Sequence, residues 1–256
     1  MSRIDNIFKI REKLKSGEES IGSWMQISNS SVAEIMGQGG FDWIAIDMEH
    51  GSFSVHQLPD LFRAIEIGGT LPLVRVAEGK IKDCKNALDS GAGGIIVPNI
   101  ESASQLEMIR NYTRWPPSGT RGVGFSRANL FGEYFDSYRE EAKAPILVAM
   151  IENKLAIKNI EEILKVDGLD AILIGPYDLS ASLGIMGEFD NQIFIDAISL
   201  IHKKCTEYSI PVGIHVIEPS VKQLEERIIE GYKFLAFSID SVMLRFSNLI
   251  NLRSNK

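Results

Sequence analysis

The chain has 256 residues, 45% of them hydrophobic and 24% charged, with a formal net charge of −7. This composition supplies an ordinary hydrophobic core, and the acidic balance without any run of Lys and Arg counts against binding the phosphate backbone of nucleic acid. No apolar run approaches the roughly 18 residues of a membrane span, and the N-terminus is too charged for a signal peptide, so the expectation is a cytoplasmic protein with no membrane partner.

From the N-terminus, Ile4–Leu14 places apolar residues at helical spacing and predicts an amphipathic helix. Eight strand-like runs follow: Ile21–Ile27, Trp43–Glu49, Leu71–Ala77, Gly94–Pro98, Ile146–Glu152, Ala171–Gly175, Val212–Val216 and Phe234–Ile239. Helical patterns fill the intervals at Ser31–Gln38, Gln57–Gly68, Ile81–Asp89, Ser102–Asn111, Leu155–Leu164, Gln192–Tyr208, Val221–Glu230 and Ser241–Leu252. Cys84 and Cys205 both fall in such patterns, far apart, and read as reduced thiols.

Regular alternation of strand and helix calls for a parallel sheet, and eight units in about 250 residues match a closed barrel. A doubly wound open sheet usually has fewer strands, and no G-x-G-x-x-G follows a strand here. The predicted fold is therefore α/β, a single (β/α)8 TIM-barrel domain over residues 1–256 with an N-terminal helix and a long loop after the fourth barrel helix. That loop, between Arg110 and Ala144, is rich in Gly, Pro and aromatics. Connections beyond about 15 residues tend to be functional lids or disordered segments, and Phe125, Phe131, Tyr134, Phe135 and Tyr138 favour an ordered one.

In a barrel of this kind catalytic groups come from the C-terminal ends of the strands. Those ends supply Trp24 and Gln26, then Asp47, Glu49 and His50, then Arg75 and Pro98, and later Glu152, Asp178, His215 and Asp240. The stretch FDWIAIDMEHG concentrates them. Burying two carboxylates and an imidazole costs several kcal/mol unless something pairs with them. Arg75, inside the apolar run LPLVRVA, needs an anionic partner, which is either an internal carboxylate or a ligand. Glu152 and Asp178 each stand where a helix start favours an acid. Two carboxylates converging on one mouth are equally the way Mg²⁺ or Mn²⁺ is held, with waters and a chelating substrate. In GPYD, Pro176 has no N–H, so the first donors belong to Tyr177 and Asp178 and suit a carboxylate. A cation beside a carboxylate pocket fits a 2-oxo acid. His50, where Gly51 ends the strand, is placed as a general base. His215, between Ile214 and Val216, reads either as a further ligand or as a core histidine.

The segments FDWIAIDMEHG, LVRV, GGIIVPNIES, WPPSGTRGVG, AMIEN and LIGPYDLSASLG, in this order, resemble the HpcH/HpaI family of class II 2-oxo-acid aldolases. The resemblance runs from about Ile21 to the C-terminus. It implies a divalent-metal-dependent enzyme (Mg²⁺, Mn²⁺ or Co²⁺, with no organic cofactor) that cleaves a 4-hydroxy-2-oxo acid to pyruvate and an aldehyde, or runs the reverse. By position it makes Glu152 and Asp178 the metal ligands, Arg75 the stabiliser of the keto or enolate oxygen, and His50 the base for the C4 hydroxyl. Asp47 and Glu49 match acids that support the metal site, and Asp89 matches an acid that orients the base across a subunit interface. Trp24 matches a pocket wall. Gly175, Pro176 and Tyr177 border the substrate, with Tyr177 bulkier than the small residue usual there; contacts to the aldehyde portion are expected from the segment SFSVHQ after Gly51 and from Arg127 in the long loop. A homo-oligomer, a hexamer in the family, is implied. The alternatives are an acyl-CoA-ester lyase of the citrate lyase β or malyl-CoA lyase type, an oxaloacetate decarboxylase, and a catalytically inactive barrel scaffold. A Schiff-base aldolase needs a desolvated lysine on a strand, and none of the eight runs contains one.

Overall fold

Every residue of four strands is buried on both faces, which only a sheet with side chains packed inside and helices outside can satisfy. The computed structural model describes residues 2–246. Its strands are β1 (Ser20–Met25), β2 (Trp43–Asp47), β3 (Leu71–Arg75), β4 (Gly94–Val97), β5 (Ile146–Ile151), β6 (Ala171–Ile174), β7 (Val212–Val216) and β8 (Phe234–Ile239). They pair in parallel, each with the next and β8 with β1, as a closed barrel. The predicted (β/α)8 fold is the one observed.

Alternate residues along the strands, among them Trp43, Ala45, Leu71, Leu73, Val148, Met150, Leu173 and Phe234, form the inner core. The remaining strand residues pack outward against the helices in a second, larger core. The N-terminal helix α1 (Arg3–Ser16) begins with a reciprocal cap between Ser2 and Asp5. It plugs the barrel floor with Ile7, Ile10 and Leu14. Arg11 clamps it there through Nε and Nη2 to Asp170 at 2.6 and 3.0 Å.

Several boundaries differ from expectation for identifiable reasons. The second strand stops at Asp47 rather than Glu49, because Asp47 Oδ1 accepts the backbone N–H groups of Glu49 and His50, both at 3.2 Å, and folds the chain into a turn. The helix predicted over Leu155–Leu164 is two short ones, α7 (Lys154–Lys158) and α8 (Ile160–Leu164). Asn159 breaks it and donates its side-chain amide to the carbonyl of Glu101 at 2.8 Å. These follow α2 (Ser30–Gly37), α3 (Leu58–Ile67), α4 (Ile81–Asp89), α5 (Ala103–Thr113) and α6 (Phe135–Lys143). The last of these occupies the end of the predicted long loop, and the irregular part is ordered around Trp115, Ala128, Tyr138 and Ala142. After β6 come α9 (Pro176–Ser182), α10 (Gln192–Tyr208), α11 (Val221–Ile229) and α12 (Asp240–Phe246). The rest of the helix predicted to Leu252 lies outside the described residues. Among the described residues no helix is long and apolar enough to cross a membrane.

Closure of the barrel shifts register between Gly22 and Trp24. Asp240 repairs the seam, accepting the N–H groups of Gln26 and Ile27 at 2.9 and 2.8 Å. Asp240→Ala leaves both donors unmatched at a buried position, so a loss of about 1–3 kcal/mol is expected, read as a lower midpoint in urea unfolding followed by circular dichroism.

Candidate active site

The inner parity of β2 runs Trp43, Ala45, Asp47, and that of β3 runs Leu71, Leu73, Arg75. Asp47 and Arg75 are register partners, so their side chains stand together in the topmost layer of the barrel interior. Arg75 Nε and Nη2 donate to the two Asp47 oxygens at 2.8 and 2.7 Å, a planar fork on a carboxylate. Gln26 Nε2 adds a bond to Asp47 at 2.9 Å. Burial disfavours the Asp47 anion, but the Arg75 fork, Gln26 and the backbone of His50 together hold its carboxyl below the usual carboxylate range. The arginine is thus an internal ion-pair partner and also a wall of the mouth. Its guanidinium lies 4.6 Å from the Trp24 ring, which fixes the plane of the fork.

Around this pair the predicted acids gather. Glu49 Oε2 is buried, 3.1 Å from Arg75 Nη1 but not aligned as a hydrogen bond. Glu152 follows β5 with inward parity after Val148 and Met150, and its Oε1 accepts the N–H of Asn99 at 2.5 Å. It is not a helix cap, since Asn153 takes that role by accepting the N–H of Ala156 at 2.8 Å. Gly175 stands inward on β6's continuation, where a Cβ would lie 2.6 Å from Glu152 Oε2. Only glycine leaves that oxygen open. Asp178 sits exposed in the first turn of α9. Burial pushes Glu152 up to about 7, with Glu49 and Asp178 adding to the effect against the Asn99 N–H. Burial likewise raises Glu49.

A cavity of about 200 Å³ opens beside these groups, lined by Trp24, His50, Arg75, Gly175, Pro176, Tyr177, Asp178 and His215. The His50 side chain is 62% exposed, and its Nε2 lies 4.0 Å from Glu49 Oε2. Tyr177 is half exposed and packs edge-on against Phe189. His215 borders the cavity and packs back into the barrel interior. Its Nε2 lies 3.3 Å from the carbonyl of Ser238, its ring meets Trp24 edge-on, and burial lowers its pKa to about 4.

Two expected site residues are elsewhere. Arg127 was expected at the aldehyde, but it lies at the opposite end of the barrel, beside Arg3 and Glu66 on a separate cavity of about 750 Å³. There it pairs with Glu66 and donates to the carbonyl of Ser90 at 3.2 Å. The long loop folds down toward the barrel floor instead of over the mouth, which removes Arg127 from the mouth of its own chain. Asp89, the last residue of α4, is at that same floor and does not reach His50 within its own chain. Asn99 escaped sequence reasoning as a site residue. Its positive φ of 51° turns its N–H onto Glu152, and an Asn directly after Pro98 was the available signal, since Asn tolerates that backbone region. Among the described residues, no three His, Cys, Asp or Glu side chains cluster with metal-ligand geometry.

A fixed arginine beside Glu49, Glu152 and Asp178, with an exposed histidine, at the C-terminal mouth of a (β/α)8 barrel, is equipment for stabilising an enolate and moving a proton beside it. Residues 20–245 match the model of the HpcH/HpaI aldolase/citrate lyase family, and the chain belongs to that family. It is 37% identical over 242 residues to a hydroxypyruvate/pyruvate aldolase of Roseobacter denitrificans, covering 93% of each chain. It is 33% identical over 243 residues to a 2-keto-3-deoxy-L-rhamnonate aldolase of Salmonella gallinarum, covering 94% of this chain and 89% of the other. Among solved structures, an HpcH/HpaI aldolase/citrate lyase family protein of Burkholderia cenocepacia superposes with a TM-score of 0.89 at 28% identity, over 96% of this chain and 98% of that one. The protein is accordingly a lyase of the aldolase class.

His215 carries a pH consequence. Its folded pKa of about 4 lies below its unfolded value, so its contribution is complete above about pH 6.5 and is lost as the unfolded chain takes up a proton on acidification. Stability is therefore expected to fall by up to about 3 kcal/mol more between pH 6.5 and 4 in the native protein than in His215→Gln, measured by urea unfolding at each pH.

Proposed function

We propose that the protein cleaves a 4-hydroxy-2-oxo acid to pyruvate and an aldehyde, or joins the two, with a divalent cation held by Glu152 and Asp178. The observation that carries this reading is an excess of acids over bases. Glu49, Glu152 and Asp178 stand beside a single arginine already forked onto Asp47, and burial, with the two neighbouring acids adding to it, pushes Glu152 up to about 7. Glu152 keeps one oxygen open at Gly175, and Asp178 stands at the cavity edge, so the donor set suits a hard cation with oxygen ligands. Bound there, the cation supplies Lewis-acid stabilisation of enolate charge.

The chain's own residues do the rest. Arg75 is held before substrate arrives, so it donates to the keto oxygen without reorganising as charge develops there, a contribution of about 3 kcal/mol for such a donor. Asp47 keeps the guanidinium charged and in plane. His50 accepts the C4 hydroxyl proton on cleavage and returns it on synthesis, and its exposure on the cavity rim places it on the aldehyde side. Asp89 of the partner subunit orients that imidazole in a homo-oligomer, a hexamer by analogy with the family. Trp24 provides the apolar wall for the pyruvate methyl group. Gly175, Pro176 and Tyr177 border its carboxylate. The buried free thiols of Cys84 and Cys205 fit a reducing, cytoplasmic setting.

The test is hydrogen exchange of pyruvate. Protein stripped with EDTA is incubated with pyruvate in D₂O, and loss of the methyl signal is followed by proton NMR on adding Mg²⁺, Mn²⁺ or Co²⁺ in turn. Exchange is expected only with metal and should fall at least about 100-fold in Arg75→Ala and Glu152→Ala. Exchange without metal would point to a lysine Schiff base, and none under any condition would exclude pyruvate as a substrate.

A further inference from the structure

Asp89 stands in an unfavourable place. The carbonyl end of a helix carries partial negative charge, so an acid as the last residue of α4 is disfavoured. Among the described residues its carboxylate makes no hydrogen bond and no ion pair, and Arg121 and Lys85 are the positive charges near it. The backbone that carries it is nevertheless held rigidly. Arg127 Nη1 donates to the carbonyl of Ser90 at 3.2 Å, and Arg3 Nη1 to that of Gly91 at 3.3 Å. Arg3 also reaches the carbonyl of Ala128 at 2.5 Å, tying α1, the long loop and the end of α4 into one unit. Glu66 and Glu141 neutralise the two arginines, so neither guanidinium is spare for a ligand.

The fit is tight. Gly91 has a φ of +106°, and a Cβ there would lie 2.2 Å from Arg127 Nη1. Its N–H bonds to the carbonyl of Leu88 at 3.0 Å, and that of Ala92 to Ala87 at 3.2 Å, so the helix end is closed and clamped at once. At the other end of the barrel, among the described residues the His50 ring has no hydrogen bond of its own and only Glu49 at 4.0 Å. An unoriented imidazole and an unpartnered carboxylate at opposite ends of one barrel cannot meet within one chain.

We propose that Arg127 and Arg3 are positioning residues: they clamp the end of α4 so that Asp89 is presented, unpartnered in its own chain, to His50 of a second copy. This rests on the role given to Asp89 above and assigns Arg127 a part in catalysis that acts only through that carboxylate.

A double-mutant cycle tests it. Cleavage of 4-hydroxy-2-oxopentanoate and pyruvate exchange in D₂O are measured for Arg127→Met, Asp89→Asn and the double variant, with assembly checked by light scattering. Arg127→Met should lower kcat about tenfold at nearly constant KM, Asp89→Asn about 100-fold, and the double variant no further than Asp89→Asn. Arg127→Lys, which keeps a donor for Ser90, should recover part of the loss, and exchange by Arg127→Met should stay within about twofold of the native rate. Additive losses, an equal fall in exchange, or dissociation of the Arg127→Met assembly would overturn the clamp. Reassembling His50→Ala with Asp89→Asn chains separates the two levels. Activity that returns on mixing supports Asp89 acting between subunits, so that an additive cycle then defeats the clamp alone. No return defeats the assignment of Asp89 itself.

Discussion

The Asp47–Arg75 fork is the interaction on which the mouth of the barrel depends. Two charges taken out of water cost several kcal/mol each, and attraction offsets this only where geometry is good and the remaining donors and acceptors are met. Here the register of β2 with β3 sets the pair side by side, Gln26 and two backbone N–H groups complete the carboxylate, and Trp24 covers the guanidinium face. The result is a cation of fixed position at the top of an apolar core. Removing either member leaves the other charge buried and unmatched, which typically costs about 3–5 kcal/mol. The same pair therefore sets both the packing and the charge of the mouth, and the two cannot be altered separately.

Everything else at the mouth responds to that fixed charge. The arginine is forked onto Asp47 and also pairs with Glu49, so one cation is shared among Asp47, Glu49, Glu152 and Asp178, and the balance of the site stays negative. Gly175 and Asn99 shape the surroundings of Glu152 by what they lack and by an unusual backbone angle, respectively. The opposite end of the barrel has the contrary character. There arginines and glutamates pair off, carbonyls at the end of α4 are capped by guanidinium groups, and α1 seals the floor. One end holds charge in tension and the other holds backbone still, the usual division in a (β/α)8 barrel between a reactive upper face and a stabilising lower one.

Much of this was legible in the sequence because inward parity is periodic. Runs such as WIAID and LPLVR place their polar residue at the third inward position, so the strand-end rule collects Asp47 and Arg75 without coordinates. Glu152 was legible on the same ground, whereas Asp178, in the first turn of α9, was read only from its place just beyond β6. His215 was not decidable, because an imidazole between two apolar neighbours looks alike whether it meets a ligand or the carbonyl of Ser238. Arg127 was misplaced because a long aromatic loop has no periodicity to say whether it folds up over the mouth or down to the floor. Trp115 and Tyr138 decide that by packing together below.

The sequence by itself determined the alternation of strands and helices, the barrel they close, and which residues crown the strands, since these follow from local periodicity and from the parity of a pleated strand. The tertiary structure alone decided the pairings. Register matched Arg75 to Asp47, an inward glycine left one oxygen of Glu152 open, and an arginine expected at the substrate came to rest on the end of α4. Such contacts join residues dozens of positions apart, and their strength depends on angstrom distances and burial that no local pattern encodes.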